Sequence, residues 1–287
     1  MRSGFVALAG RPNVGKSTLV NALCGGKVAI VSDKPQTTRH RIQGVVSGDG
    51  FQLVLVDLPG FQRPLDPLTE HMQRTVDHSL EGVDGIALVL AADERIGAGD
   101  RFAARRAFAA GVPVVVVLNK VDRIGPAELV RQIETVAVLG DLRALHPVSA
   151  RTGEGVDELR NELVELLPEG PAYYPAGALT DLPLELRVAE LVREQALALT
   201  REEVPHAVTV EVEELTARRV SAVILVETSS QKQILVGKGG SMVREIGSRA
   251  RPAIEDLLGR RPVFLDLRVK VKERWRRDEQ LLSRLGI

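Results

Sequence analysis

Eight residues near the start of the chain, Gly10-Arg-Pro-Asn-Val-Gly15-Lys16-Ser17, constrain its fold more than any other feature. They match G-x-x-x-x-G-K-[ST]. An apolar run (5–9) precedes them and a helical pattern (19–24) follows. A phosphate-cradling turn needs that strand–turn–helix context. Its backbone N–H groups and the helix N-terminus can surround an anion. Lys16 would reach the terminal phosphate oxygens, and Ser17 would offer a hydroxyl to a divalent cation. A glycine-rich turn without a ligand is the bland alternative.

The rest of the first 165 residues alternates strand and helix. Runs 51–57, 84–92 and 112–120 are apolar and β-branched, and turn residues bound them. Such continuous runs suit parallel strands buried on both faces. Helical patterns are expected at 68–80, 99–111, 126–138 and 155–167, with a last strand at 142–150. Residues 42–57 read as a hairpin turning at Asp49-Gly50, so one sheet edge should be antiparallel. The expected fold is therefore a doubly wound α/β sheet. At about 150 residues per domain, 287 residues leave room for a second one. Residues 169–183, rich in Pro and Gly, read as a linker between a first domain (1–168) and a small α+β domain (184–287). That second domain should hold a helix (184–200), two β-runs (206–215, 219–229), a helix–turn–helix (231–258), a strand (262–272) and a basic helical tail.

Further motifs follow in order. Asp57-Leu58-Pro59-Gly60 closes the third apolar run, and a carboxylate there sits where ligands bind in such sheets. Asn119-Lys120-Val121-Asp122 ends a later strand, and Val148-Ser149-Ala150 ends the next. Through these motifs the chain resembles the G domains of the Ras-like GTPases. The resemblance implies that Gly10, Arg11, Pro12, Asn13, Val14, Gly15, Lys16, Ser17 and Thr18 bind the phosphates of GTP. It implies that Asp57, Ser17 and a switch threonine hold Mg²⁺, and that Gly60 meets the γ-phosphate. Asn119 and Lys120 would brace the base loop, and Asp122 would read guanine, with Ser149 beside it and the Ala150 N–H facing guanine O6. Adenine lacks the matching donor pair and would leave Asp122 unpaired.

The switch threonine lies in a polar stretch, 32–41. Thr37 and Thr38 are both candidates. Thr38 is favoured because related enzymes place the threonine immediately before Arg; strand capping is the alternative for both. Lys16, Thr38, Asp57, Gly60 and Asn13 form the expected catalytic set. One departure stands out: where Ras-like enzymes carry a water-orienting Gln, this chain has Phe61. Slow intrinsic turnover is therefore expected. Asn13 resembles the Asn that in some of these enzymes helps bind a potassium ion, so K⁺ is a candidate cofactor.

In the second domain, Ile234-Leu-Val-Gly237-Lys238-Gly239-Gly240-Ser-Met-Val243 matches the I-x-x-G-x-x-G-x-x-[IV] core of a KH domain. That turn clamps single-stranded nucleic acid. The chain is neutral overall, with 38 basic and 38 acidic residues, but residues 232–277 hold 13 basic against 5 acidic, a net +8. Such a segment is a candidate polyanion surface. The element order suits a type II KH domain. Gly237, Lys238, Gly239, Gly240, Arg244, Arg268, Lys270 and Lys272 are the expected RNA contacts. Few aromatic residues are present, so base stacking should be limited. Glu211, Glu213 and Glu214 read as a solvated strand edge.

A Ras-like G domain followed by a type II KH domain resembles the Era-like GTPases along nearly the whole chain. The resemblance implies a GTPase that binds the 3′ end of small-subunit ribosomal RNA and assists small-subunit maturation. It also implies a cytoplasmic location and leaves room for peripheral membrane association at the inner face of the membrane. An RNA scaffold with little hydrolysis and a membrane-surface GTPase, using 272–285 as an amphipathic helix, are the alternatives. No protein partner follows from the sequence. Cys24 is the one cysteine, which rules out an intramolecular disulfide.

Overall fold

A computed structural model describes every residue except 35, 63, 65, 217 and 286. The chain divides into two compact units, one over residues 1–31, 36–65 and 69–181, the other centred on 182–287.

The first unit runs β1 (Arg2–Ala9), α1 (Lys16–Cys24), β2 (Ile42–Gly48), β3 (Phe51–Asp57), α2 (Pro67–Leu80), β4 (Gly85–Ala91), α3 (Ala98–Phe108), β5 (Val114–Asn119), α4 (Pro126–Ala137), β6 (Ala144–Pro147) and α5 (Val156–Glu165). The six strands order as β2-β3-β1-β4-β5-β6. All neighbours are parallel except β2 and β3, whose hairpin turns at Gly50 in a left-handed conformation (φ 76). The apolar strands are buried because helices cover both faces. Leu53, Val54, Leu55, Ile86, Leu88, Val115 and Val117 are fully inaccessible. Since β1, β3, β5 and β6 run the same way, their C-terminal ends share one edge. Every nucleotide motif lies there, where β1 sits between β3 and β4 and the chain order reverses.

The expected last strand over 142–150 shrinks to four residues. Pro147 has no N–H to continue a ladder, although the Val148 N–H still reaches Leu118 O at 2.9 Å. The Pro/Gly-rich stretch expected as a linker lies against the first unit through residue 181. The Gln52 side chain accepts from the Tyr173 and Tyr174 N–H groups at 2.7 and 2.9 Å, and Gly44 bridges to Thr180.

The second unit comprises α6 (Leu184–Leu199), α7 (Val204–Ala207), β7 (Thr209–Leu215), β8 (Arg219–Val226), α8 (Ser229–Val236), α9 (Ser241–Leu258), β9 (Phe264–Val271) and α10 (Glu279–Arg284). Its sheet orders β7-β8-β9, antiparallel then parallel. Helices α6 and α9 pack their apolar faces on it, burying Val188, Val192, Ile246 and Ile254 against Ala222 and Ile224. Two expectations need correction. The strand over 206–215 starts only at Thr209, because Pro205 in the first turn of α7 favours a helical φ there. The tail is not one helix. Arg274 takes a left-handed conformation, a 3-10 turn spans Trp275–Arg277, and Asp278 caps the short α10 by accepting from Leu281 N at 3.0 Å. Trp275, Leu281, Leu282, Leu285 and Ile287 are buried, and the Trp275 indole donates to Ala207 O at 2.8 Å. Residues 272–285 therefore present no apolar face to a lipid surface. Among the described residues, no helix is long and apolar enough to cross a membrane.

Candidate nucleotide and nucleic-acid sites

The turn between β1 and α1 needs three unusual backbone conformations. Gly10, Asn13 and Gly15 all have positive φ (151, 66 and 97). At Gly15 an added Cβ would lie 2.3 Å from Asn119 Nδ2, so glycine also permits contact with the base loop. Lys16 is buried and donates to Gly10 O at 3.2 Å and Arg11 O at 3.1 Å. Burial is the main cause that lowers its pKa to about 8; Arg11 adds to this and Asp57 opposes it.

Beside it, three oxygens from separate elements converge. Ser17 Oγ donates to Asp57 Oδ2 at 2.7 Å and lies 2.9 Å from Thr38 Oγ1; Thr38 Oγ1 lies 3.4 Å from the same Asp57 oxygen. Thr38, not Thr37, is the threonine that joins this cluster. Asp57 Oδ1 is fully buried and has no hydrogen-bond partner among the described residues. Burial pushes the Asp57 carboxyl above its ordinary pKa even though Lys16, Ser17 and Thr38 pull it down. An orphaned carboxylate oxygen among hydroxyls and beside a phosphate-binding turn is a donor set that fits a hard divalent cation such as Mg²⁺.

Gly60 packs on the phosphate loop: a Cβ would lie 2.6 Å from Pro12 N. Phe61 N donates to Gly10 O at 3.1 Å. The Phe61 ring is buried, edge-on to Phe102 at 6.3 Å and under the Arg106 guanidinium at 5.6 Å. It serves the core and offers water no polar atom.

At the base end, Asn119 links two loops. Its Nδ2 donates to Val14 O at 2.9 Å and its Oδ1 accepts from Ala150 N at 3.0 Å. The Ala150 N–H, expected to face the base, is thus directed at Asn119. Asp122 accepts from Ser149 Oγ at 2.6 Å and pairs with Arg151. The Ser149 hydrogen bond, and after it Arg151, hold the Asp122 carboxyl below the usual carboxylate range.

A brace absent from the sequence reading connects these loops. Arg11 reaches Glu94 at 2.5 Å and Asp100 at 2.8 Å. Lys120, left-handed at φ 67, has its ammonium 3.6 Å from Asp93 and 3.7 Å from Glu94. Gln73 on α2 donates to Gly60 O at 3.2 Å. The position of Asp93 and Glu94 just after β4, at the ligand edge, was the one signal that could have found them.

In the second unit, Gly237 joins α8 to the 238–240 turn with φ 70 and ψ 172, a conformation essentially confined to glycine. A Cβ there would meet Met242 at 2.8 Å, whereas Gly239 and Gly240 face open space. Lys238 is exposed and has no ion pair among the described residues. The other expected cations are engaged within the unit. Arg244 donates to Gly239 O at 2.7 Å and Gly240 O at 3.2 Å. Arg268 and Lys270 lie 2.5 and 3.0 Å from Glu213, and Lys272 lies 2.9 Å from Asp278. The three glutamates of β7 are thus ion-pair partners: Glu214 faces Arg219 and Glu211 faces Arg284. Exposed pairs of this kind are screened by water and salt and hold their partners weakly, so a phosphate can displace them.

Comparison with known proteins agrees with this geometry. Residues 5–120 match the family described as 50S ribosome-binding GTPase, and residues 203–276 match the KH domain. GTPase Era of Mycobacterium bovis (strain BCG / Pasteur 1173P2) is 48% identical over 295 residues, covering 99% of this chain and 98% of that protein. GTPase Era of Mycolicibacterium smegmatis is 46% identical over the same shares. A crystal structure of Era in complex with MgGDPNP and nucleotides 1506–1542 of 16S ribosomal RNA is similar with TM-score 0.93 at 39% identity, over 100% of this chain and 99% of that one. A variant of Aquifex aeolicus Era bound to GDP·AlF4⁻ reaches TM-score 0.95 at 39% identity, with the same coverage. Identity at that level, sustained through both units and the stretch between them, means that the chain belongs to the Era family of GTPases.

Proposed function

We propose that this GTPase is a nucleotide-gated switch that binds the 3′ end of small-subunit ribosomal RNA and assists maturation of that subunit. The observation that carries the reading is the meeting of Ser17, Thr38 and Asp57 beside Lys16, because Thr38 belongs to the stretch expected to respond to the γ-phosphate. Backbone N–H groups of residues 13–18 hold the phosphates, and Lys16 neutralises them. Ser17, Thr38 and Asp57 hold Mg²⁺, which offsets charge on the transferring phosphoryl group. Asp122 accepts from guanine, and Ser149 and Asn119 fix the loops around it. A γ-phosphate that holds Thr38 in place orders residues 36–41. That ordering is coupled to RNA affinity only as far as the two nucleotide states differ in contacts to the second unit.

RNA binding by the second unit is supported by its KH match, by the Gly237 turn, and by the relative whose structure holds 16S ribosomal RNA. Burial of Phe61 favours slow hydrolysis. A K⁺ ion near Asn13 would raise it, and rates in K⁺ against Na⁺ decide that point. In this reading residues 1–168 form the GTPase domain and 184–287 the RNA-binding domain, joined by 169–183, and peripheral membrane association is a separate question for vesicle co-sedimentation.

The test is RNA affinity, with a single strand from the 3′ end of 16S ribosomal RNA, for protein loaded with a non-hydrolysable GTP analogue or with GDP, together with GTP turnover. Tight binding in the GTP-analogue state alone is expected, with turnover lowered about 10²-fold or more in Lys16→Ala. Equal affinity in both states would remove the gating and leave a scaffold.

A further inference from the structure

The loop between β4 and α3 carries two carboxylates that no nucleotide motif claims, Asp93 and Glu94. Its backbone is fixed from two sides. Ala92 N donates to Asn119 O at 2.8 Å, and the buried Gln132 side chain on α4 donates to Ala92 O at 3.2 Å and Glu94 O at 3.0 Å. Two cations from separate loops converge on it, and each has two acids within reach. Arg11, on the phosphate loop, donates through Nε to Asp100 at 2.8 Å and through a terminal nitrogen to Glu94 Oε2 at 2.5 Å. Lys120, on the base loop, has its ammonium 3.6 Å from Asp93 and 3.7 Å from Glu94 Oε1. Asp93 is itself shared with Arg123 at 2.8 Å. Among the described residues, Glu94 is the one acid that meets both Arg11 and Lys120. The bridge reaches the ligand-binding groups. Arg11 O accepts from Lys16 Nζ at 3.1 Å, so what holds Arg11 also helps to hold Lys16. Lys120 is left-handed at φ 67 with its ammonium drawn to two carboxylates, which leaves its methylene stem little freedom.

A nucleotide gripped at its phosphates and at its base leaves once the two loops part. We infer that Glu94 is a positioning residue that makes the phosphate loop and the base loop move together, and so sets how fast the nucleotide leaves. The inference rests on reading residues 10–18 and 119–122 as the two ends of the GTP site. Glu94 acts through Arg11 and Lys120, not on the nucleotide. Stiffening a formed site in this way acts on dissociation more than on association. The Glu94 side chain is 46% exposed, so water and salt weaken the bridge and its effect is a few-fold.

The experiment measures release of a fluorescent GDP from the full-length protein, chased with excess GTP, together with steady-state GTP turnover. In Glu94→Ala each cation keeps one acid, so the fold should hold, yet release should quicken about three- to fivefold. Association and kcat at saturating GTP should stay within about twofold of wild type, since Lys16 and the Asp57 cluster are untouched. Glu94→Gln keeps the shape without the charge and should release GDP nearly as fast as the Ala variant. Raised salt should quicken release from wild type more than from either variant. The decisive readout is coupling. Arg11→Met and Lys120→Met are made singly and together, in wild-type and in Glu94→Ala protein. With Glu94 present, either change alone breaks the same bridge, so the pair should quicken release by less than the product of the two. Without Glu94 the two effects should multiply. Unchanged release in Glu94→Ala would overturn the inference. So would equal coupling in both backgrounds, which is what a merely structural role gives, or a kcat lowered severalfold, which would place Glu94 on the reaction itself. Asp122→Ala should lose GDP binding; if binding persists, the reading of the base loop fails first and takes the inference with it.

Discussion

Asp122 shows how one hydroxyl tunes a carboxylate. The Ser149 hydrogen bond favours its ionised form, so its pKa lies below the ordinary value. The stability this lends is present above the unfolded-state pKa and is lost as pH falls through the lower, folded one. The carboxylate proposed to read guanine therefore survives further into acid than a free Asp would. In Ser149→Ala the pKa rises toward normal, so GDP affinity should begin to fall at higher pH than in wild type. Titrating GDP affinity from neutral to about pH 4 checks this; superimposable profiles would show that the hydroxyl leaves Asp122 untuned. Phe61 carries the opposite lesson. Its sequence position announced a missing glutamine, but only packing against Phe102 and Arg106 shows that the side chain belongs to the core.

Helix α3 acts as an anchor for the phosphate loop. Asp100 is almost fully buried; one oxygen accepts from Gly97 N at 3.0 Å, closing the helix start, and the other holds Arg11 Nε at 2.8 Å. Asp100→Ala leaves a half-buried guanidinium short of a partner, at a cost of roughly 1–3 kcal/mol. The expected result is a melting temperature lower by several degrees and weaker GTP binding, while Arg11→Ala/Asp100→Ala loses less than the two single changes added together. Strict additivity would mean that the pair does not couple loop to helix. This brace was not legible beforehand, because α3 and the phosphate loop are 89 residues apart and Asp100 reads locally as a helix-capping residue.

Across the whole of the first unit, a single glutamine ties down a stretch that composition marks as loose. Gln52 is 2% exposed; it accepts from Tyr173 and Tyr174 N–H and donates to Tyr174 O at 3.0 Å. In Gln52→Ala these backbone groups lose their partner, and limited proteolysis should cut within residues 172–178 faster than in wild type. Unchanged cleavage would mean that the contacts around Gly44 and Thr180 suffice.

Strand and helix periods, the hairpin turn and the order of the nucleotide motifs were readable along the chain, because each depends on neighbours within a few residues. Gly10-to-Ser17 named its own conformation, since only that glycine spacing makes the turn. Between the two candidate switch threonines, only the Arg that follows Thr38 favoured it in the sequence. Thr37 and Thr38 are chemically alike, and the fold alone carries Thr38 Oγ1 to within 3.4 Å of an aspartate nineteen residues away. The basic strand followed the same rule. Its charge was legible, but Glu213, across the sheet, decides that Arg268 and Lys270 are paired, while Arg218 and Arg260 stand without ion pairs among the described residues. Charge and period are local properties of a chain; which charge meets which is settled only when distant segments are brought within a few ångströms.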